Sequence, residues 1–147
     1  MIIRETLREL APISYHIRRT GKISPSVIIT LMSRTIAVDI GGTHIRVAAY
    51  EPNSIKRTKS QATVPGVFDR LVKAIETVWQ ADVSAIGIAS PGPLDPHTGT
   101  ILETPNIKEW VNFPLAPKLS EHFGVPVYLD NDANMAGLAE WQFGAGK

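Results

Sequence analysis

An aspartate followed by two glycines and a threonine marks the first place where this chain can do chemistry. The run is Asp39-Ile40-Gly41-Gly42-Thr43-His44-Ile45-Arg46. Glycines in a turn let the backbone fold tightly and approach a ligand with no Cβ in the way. Amide N–H groups in such a turn can cradle phosphate oxygens, and Thr43 adds a hydroxyl donor. Asp39, near the end of an apolar strand, suits a second-shell or water-mediated magnesium ligand. No helix follows the glycines, so the run is neither a Walker loop nor a dinucleotide G-x-G-x-x-G fingerprint. The alternative is a plain hairpin turn with a satisfied aspartate.

A second polar cluster, Asp130-Asn131-Asp132-Ala133-Asn134, lies between an apolar segment and a helical pattern. Ligands of open α/β folds bind at the carboxyl ends of strands, so its place is favourable. Asn131 can both donate and accept hydrogen bonds to sugar hydroxyls. Asp132 can take the proton of a hydroxyl that attacks phosphorus. Helix capping by Asp130 or Asp132 is the competing role. Two further loops qualify. Ser90-Pro91-Gly92-Pro93-Leu94-Asp95 is either a ligand-holding loop or a rigid turn. Thr104-Pro105-Asn106-Ile107-Lys108-Glu109-Trp110 is either a sugar loop or one pinned by a buried tryptophan. His16, His44, His97 and His122 lack metal-ligand spacing. His97 and His122 are expected at the surface, and no resident protein metal site is expected.

These residues need a scaffold, and the apolar pattern predicts one. Residues 36–40 and 44–50 read as a hairpin, and 56–63 as a third, more polar strand. Val67, Phe68, Leu71, Val72, Ile75, Val78 and Trp79 recur at helical spacing and predict a helix with one apolar face. Residues 83–89 are almost free of polar side chains, which predicts a strand covered on both faces. Leu115, Leu119 and Phe123 predict a short helix, residues 125–129 a strand, and a last helix starts near Asp132. Such an order gives an α/β layer architecture.

The 147 residues leave room for one domain or lobe. Cysteine is absent, which excludes disulfides and thiolate metal sites and agrees with a cytoplasmic location. Residues 1–34 hold six basic and two acidic side chains, a net +4. The whole chain carries +1, so the remainder carries −3. A mildly acidic body lacks the cationic surface that nucleic-acid phosphates require. The apolar run at 27–32 is too short to span a membrane. Residues 1–33, interrupted by Pro12, Gly21 and Pro25, are expected to be a disordered or non-native leader.

Taken together, these motifs resemble a known family. Ala37 to Thr43 looks like the first phosphate motif of sugar kinases in the actin and Hsp70 superfamily. Adding Gly87-Ile88-Ala89-Ser90-Pro91-Gly92, Thr104-Pro105-Asn106 with Trp110, and Asn131-Asp132-Ala133-Asn134, the chain resembles the ROK family (repressors, open reading frames and kinases) over about residues 34–147. The nearest type is a bacterial glucokinase-like kinase.

The resemblance implies the α/β fold of an actin-like ATPase (ribonuclease H-like) N-terminal lobe, a mixed sheet with flanking helices. It implies ATP-dependent phosphorylation of a hexose, with ATP and Mg2+ as cofactors. Asp39, Gly41, Gly42, Thr43 and His44 would line the phosphates and magnesium. Gly92, Asn106, Asn131 and Asp132 would hold the sugar, and Asp132 would be the catalytic base. Family members continue into a second lobe with another phosphate loop, an adenosine site and a Cys/His zinc motif. The chain is therefore expected to be an N-terminal lobe that is inactive alone, the complete protein a homo-oligomer acting on hexose and ATP. The alternative within the family is a sugar-responsive transcriptional repressor, to which the basic stretch Arg18–Lys22 gives some support.

Overall fold

The computed structural model describes residues 34–51, 54–61 and 65–143. The expected leader over 1–33 and the end of the expected third strand lie outside the described residues. Three strands come first: β1 (Arg34–Ile40), β2 (His44–Glu51) and β3 (Ser54–Gln61), paired antiparallel in sequence order. Then follow α1 (Val67–Glu76), β4 (Val83–Ser90), the short strands β5 (Leu94–Asp95) and β6 (Thr100–Ile101), α2 (Leu115–Phe123), β7 (Val127–Asn131) and α3 (Asp132–Phe143).

The main sheet runs β3-β2-β1-β4-β7. β4 pairs parallel with β1 and with β7, so three neighbouring strands end at the same edge. β-branched residues alternate along these strands, which fits a pleated surface with one buried side. Ile36, Val38, Ile40, Ile45, Val47, Ile86, Ile88 and Leu129 are all buried on that side. α1 brings Leu71 and Ile75 to this core, and α2 brings Leu115 and Leu119. The ends of the two helices meet where Trp79 stacks on Phe123 at 4.7 Å between ring centroids.

The centre of the sheet's other side carries small residues. Ala37 and Ala48, with Gly87 and Ala89, form the floor of a trough of about 800 Å³ that Asp39, Arg46 and Met135 also line. This corrects the expectation that residues 83–89 are covered on both faces. Ile86 and Ile88 are buried, whereas Ala85, Gly87 and Ala89 are half-buried among the described residues. Few polar residues in a strand do not imply two covered faces when one face holds only Ala and Gly.

Three boundaries also shift. β3 begins at Ser54, two residues before the expected start. The helix that begins at Val67 ends at Glu76, and the chain then tightens. The Val78 N–H donates to the Ile75 carbonyl at 3.0 Å and the Trp79 N–H to Glu76 at 3.2 Å. These three-residue bonds keep Val78 on the buried face, and a helical spacing pattern cannot distinguish such a turn from a continuing helix. The strand expected at 125–129 is observed at 127–131. The Pro126 carbonyl accepts from the Ile86 N–H at 3.0 Å, but proline has no N–H to return to the ladder.

Candidate active site

The parallel run β1-β4-β7 brings the polar motifs to one edge, because the carboxyl ends of parallel strands lie side by side. Asp39 stands at the end of β1, opposite Arg46 on β2. Arg46 Nη1 donates to Asp39 Oδ2 at 2.7 Å. Both side chains are about half exposed, so the pair contributes only about 0.2–1 kcal/mol. Its effect is to orient the carboxylate.

The turn after β1 closes through the Gly41 N–H, which donates to the His44 carbonyl at 2.9 Å. Gly42 and Thr43 lie exposed at its tip, while His44 is half-buried. The reason for glycine at position 42 is proximity. A Cβ there would stand 2.7 Å from Asn106 Nδ2, closer than real contacts allow. The structure thus brings the expected phosphate turn against the expected sugar-loop asparagine.

A second glycine faces a second asparagine. A Cβ on Gly92, just after β4, would lie 3.5 Å from Asn131 Nδ2. Asn131 is the last residue of β7 and lies opposite Ser90. Its Oδ1 accepts from the Ala133 N–H at 3.0 Å, so Asn131 itself caps α3. Asp132 starts the helix, is exposed, and accepts only from the adjacent Ala133 N–H among the bonds described, at 2.8 Å. Asp130, expected only as a candidate helix cap, also takes part. Its Oδ1 accepts from the Asn131 N–H at 2.6 Å and from Asn134 Nδ2 at 3.1 Å, fastening the strand end to the first helical turn.

The loop that carries Asn106 has its own anchors. Thr104 Oγ1 accepts from the Ile107 N–H at 3.1 Å and donates to the Ile107 carbonyl at 3.2 Å. Trp110 is 1% exposed and stacks on Phe113 at 5.2 Å with rings 5° apart. Of the two roles open to this tryptophan, the structure shows the pin; Trp110 offers no face to a sugar. Glu109 accepts from the N–H groups of Gly66 and Val67 at 3.1 and 2.7 Å.

Asp39 fits a magnesium ion. Magnesium is held by one or two carboxylates together with phosphate oxygens and water, and Asp39 supplies such a carboxylate beside a phosphate-type turn. No group of three or more His, Asp or Glu able to hold a metal occurs among the described residues. His97 and His122 are exposed, and His122 Nε2 lies 3.5 Å from Glu76. Arg46, Asp130 and Glu109 are the participants that motif reading missed. Arg46 alone had a signal: a hairpin with a two-residue turn at 42–43 places residue 46 opposite residue 39.

Comparison with known proteins gives the family. A match to the ROK family covers residues 35–147. The glucokinase of Streptomyces coelicolor is 33% identical over 121 residues, which cover 79% of this chain and 38% of that protein. The xylose repressor of Caldicellulosiruptor bescii is 39% identical over 80 residues, 53% of this chain and 20% of that protein. Among solved structures, a ROK family glucokinase from Streptomyces griseus in complex with glucose and AMPPNP superimposes with a TM-score of 0.67. It is 36% identical, over 78% of this chain and 38% of that one. The chain thus spans about two fifths of the length of the glucokinases it matches. No helix among the described residues is long and apolar enough to cross a membrane. With a family match across nearly all of its described residues and the actin-like ATPase fold of the ROK sugar kinases, this chain belongs to the ROK family.

Proposed function

We propose that the chain is the hexose- and phosphate-binding lobe of an ATP-dependent sugar kinase of glucokinase type. The observation that carries this reading is the state of Asp132. It is exposed at the start of α3 and shares the Ala133 N–H with Asn131 through Oδ1, which leaves Oδ2 available to a substrate among the bonds described.

In this reading Asn106 and Asn131, with Gly92, hold sugar hydroxyls. Asp132 takes the proton of the attacking hydroxyl as its oxygen bonds to the γ-phosphorus. The bond from phosphorus to the β–γ bridging oxygen breaks, and ADP leaves. The Gly41–His44 turn offers backbone N–H groups and the Thr43 hydroxyl to the phosphates, and preorganised donors stabilise the charge that develops there. Asp39 would hold magnesium, whose charge offsets that of the phosphate oxygens when it is bound. The glucose and AMPPNP held by the S. griseus relative support this substrate pair.

The experiment is a hexose-dependent ADP-release assay on the chain joined to its downstream lobe, with and without Asp132→Asn. A second reading, a sugar-responsive repressor, draws on the similarity to the C. bescii xylose repressor. It predicts sequence-specific DNA binding released by sugar, together with no turnover.

A further inference from the structure

Helix α1 begins at a position that cannot cap itself. Its N-cap is Gly66, in the left-handed region at φ 77°, and it has no side-chain cap. The first N–H groups of a helix have no partner within the helix and need an acceptor. That acceptor comes from more than forty residues away. Glu109 Oε2 accepts from Gly66 and Oε1 from Val67, one carboxylate oxygen for each N–H. An anion at this end also meets the favourable end of the helix dipole.

Glu109 is one residue from the buried Trp110 and three from Asn106. The loop is therefore held on three counts: Thr104 closes its turn through Ile107, Trp110 sinks into the core, and Glu109 ties it to α1. The first two anchors fix the loop to itself and to the core. Only the third joins it to another element through charge-assisted hydrogen bonds, which are the stronger kind. At the far end of the same loop, Asn106 Nδ2 reaches to where a Gly42 Cβ would be. The connection runs from α1 through Glu109 and the loop to Asn106 and the Gly41–Gly42 turn.

We infer that Glu109 is a positioning residue for the sugar site: by supplying the cap that α1 lacks, it holds the 104–110 loop so that Asn106 stands against the phosphate turn. The role at Asn106 rests on the hexose-site reading above. The contact between Asn106 and Gly42 does not.

Nuclear magnetic resonance on the isotopically labelled 147-residue chain separates these roles. The variants are Glu109→Gln, Glu109→Ala and a control, Leu71→Val, which weakens α1 from its buried face and leaves the Glu109 carboxylate in place. Glutamine offers one acceptor oxygen where the carboxylate offers two, so it cannot give each N–H an oxygen of its own. The expected result is a proton–proton contact between the Asn106 side-chain amide and Gly42 in the wild type. It should be lost in both Glu109 variants and kept in Leu71→Val. In a glucose titration the dissociation constant should rise about tenfold in the Glu109 variants, as for one lost hydrogen bond, and stay near wild type in the control.

A Glu109→Ala chain that keeps the Asn106–Gly42 contact and wild-type glucose affinity, with only a lower Tm, would make Glu109 a helix cap and nothing more, and would overturn the proposal. If the wild type shows the contact but ignores glucose, the hexose reading fails. The contact measurement then still decides whether Glu109 positions Asn106.

Discussion

Gly42 and Gly92 each leave room for the amide of an asparagine from another segment, and this pairing joins four separate motifs into one edge. Substituting Gly42 with alanine should move the flexible Asn106 side chain and leave the fold intact. Stability should change by less than about 0.5 kcal/mol, as for an exposed site. Glucose affinity should fall about tenfold, which calorimetric titration of the chain would measure. The types of these residues were legible in the sequence, because Asp-x-Gly-Gly-Thr and Asn-Asp after apolar runs admit few uses. What joins them was not. Glu109 and Gly66 are separated by more than forty residues, and neither contains a hint of the other. Asp130 looked like a candidate cap, yet Asn131 has that role, because the strand continues two residues further than its apolar content shows.

The amphipathic face of α1 contributes through Leu71 and Ile75, both fully buried. Leu71→Ala should lower stability by about 2–5 kcal/mol, measured by denaturant unfolding, since the lost contacts leave a cavity. The β5–β6 hairpin is held differently. Asp95 accepts from the Thr98 hydroxyl and the His97 N–H, both at 2.9 Å, and these bonds hold its carboxyl below the ordinary value of 3.8. A carboxyl lowered in the folded state stabilises fully above its unfolded value. That stabilisation fades as pH falls through the folded value. Unfolding followed below pH 3.8 should therefore show an acid-dependent loss that Asp95→Asn no longer displays. The strands and helices were legible because their apolar periods are strong. Their ends were less so. Val78 and Trp79 keep the helical spacing through a tighter turn, and Ala85, Gly87 and Ala89 read as a covered strand while lying half-buried.

The sheet presents one packed face and one with small residues at its centre, with the candidate site at the shared carboxyl edge of β1, β4 and β7. Residues 1–33, interrupted by Pro12, Gly21 and Pro25, are expected to be a leader outside the sheet domain. Deleting residues 1–31 should then leave the Tm of the sheet domain within a few degrees and glucose binding unchanged. A large drop in Tm would assign those residues a packing role. The order β3-β2-β1-β4-β7 was not readable from the sequence pattern alone, because periodicity shows which residues are buried but not which strands are neighbours.

Asp132 is the proposed general base. In the chain joined to its downstream lobe, glucose-dependent ADP release should be present, and Asp132→Asn should lower it about 10²–10⁴-fold, the range for loss of a general base. Glucose affinity should stay within a few fold. Unchanged turnover in the Asp132→Asn protein would contradict the assignment.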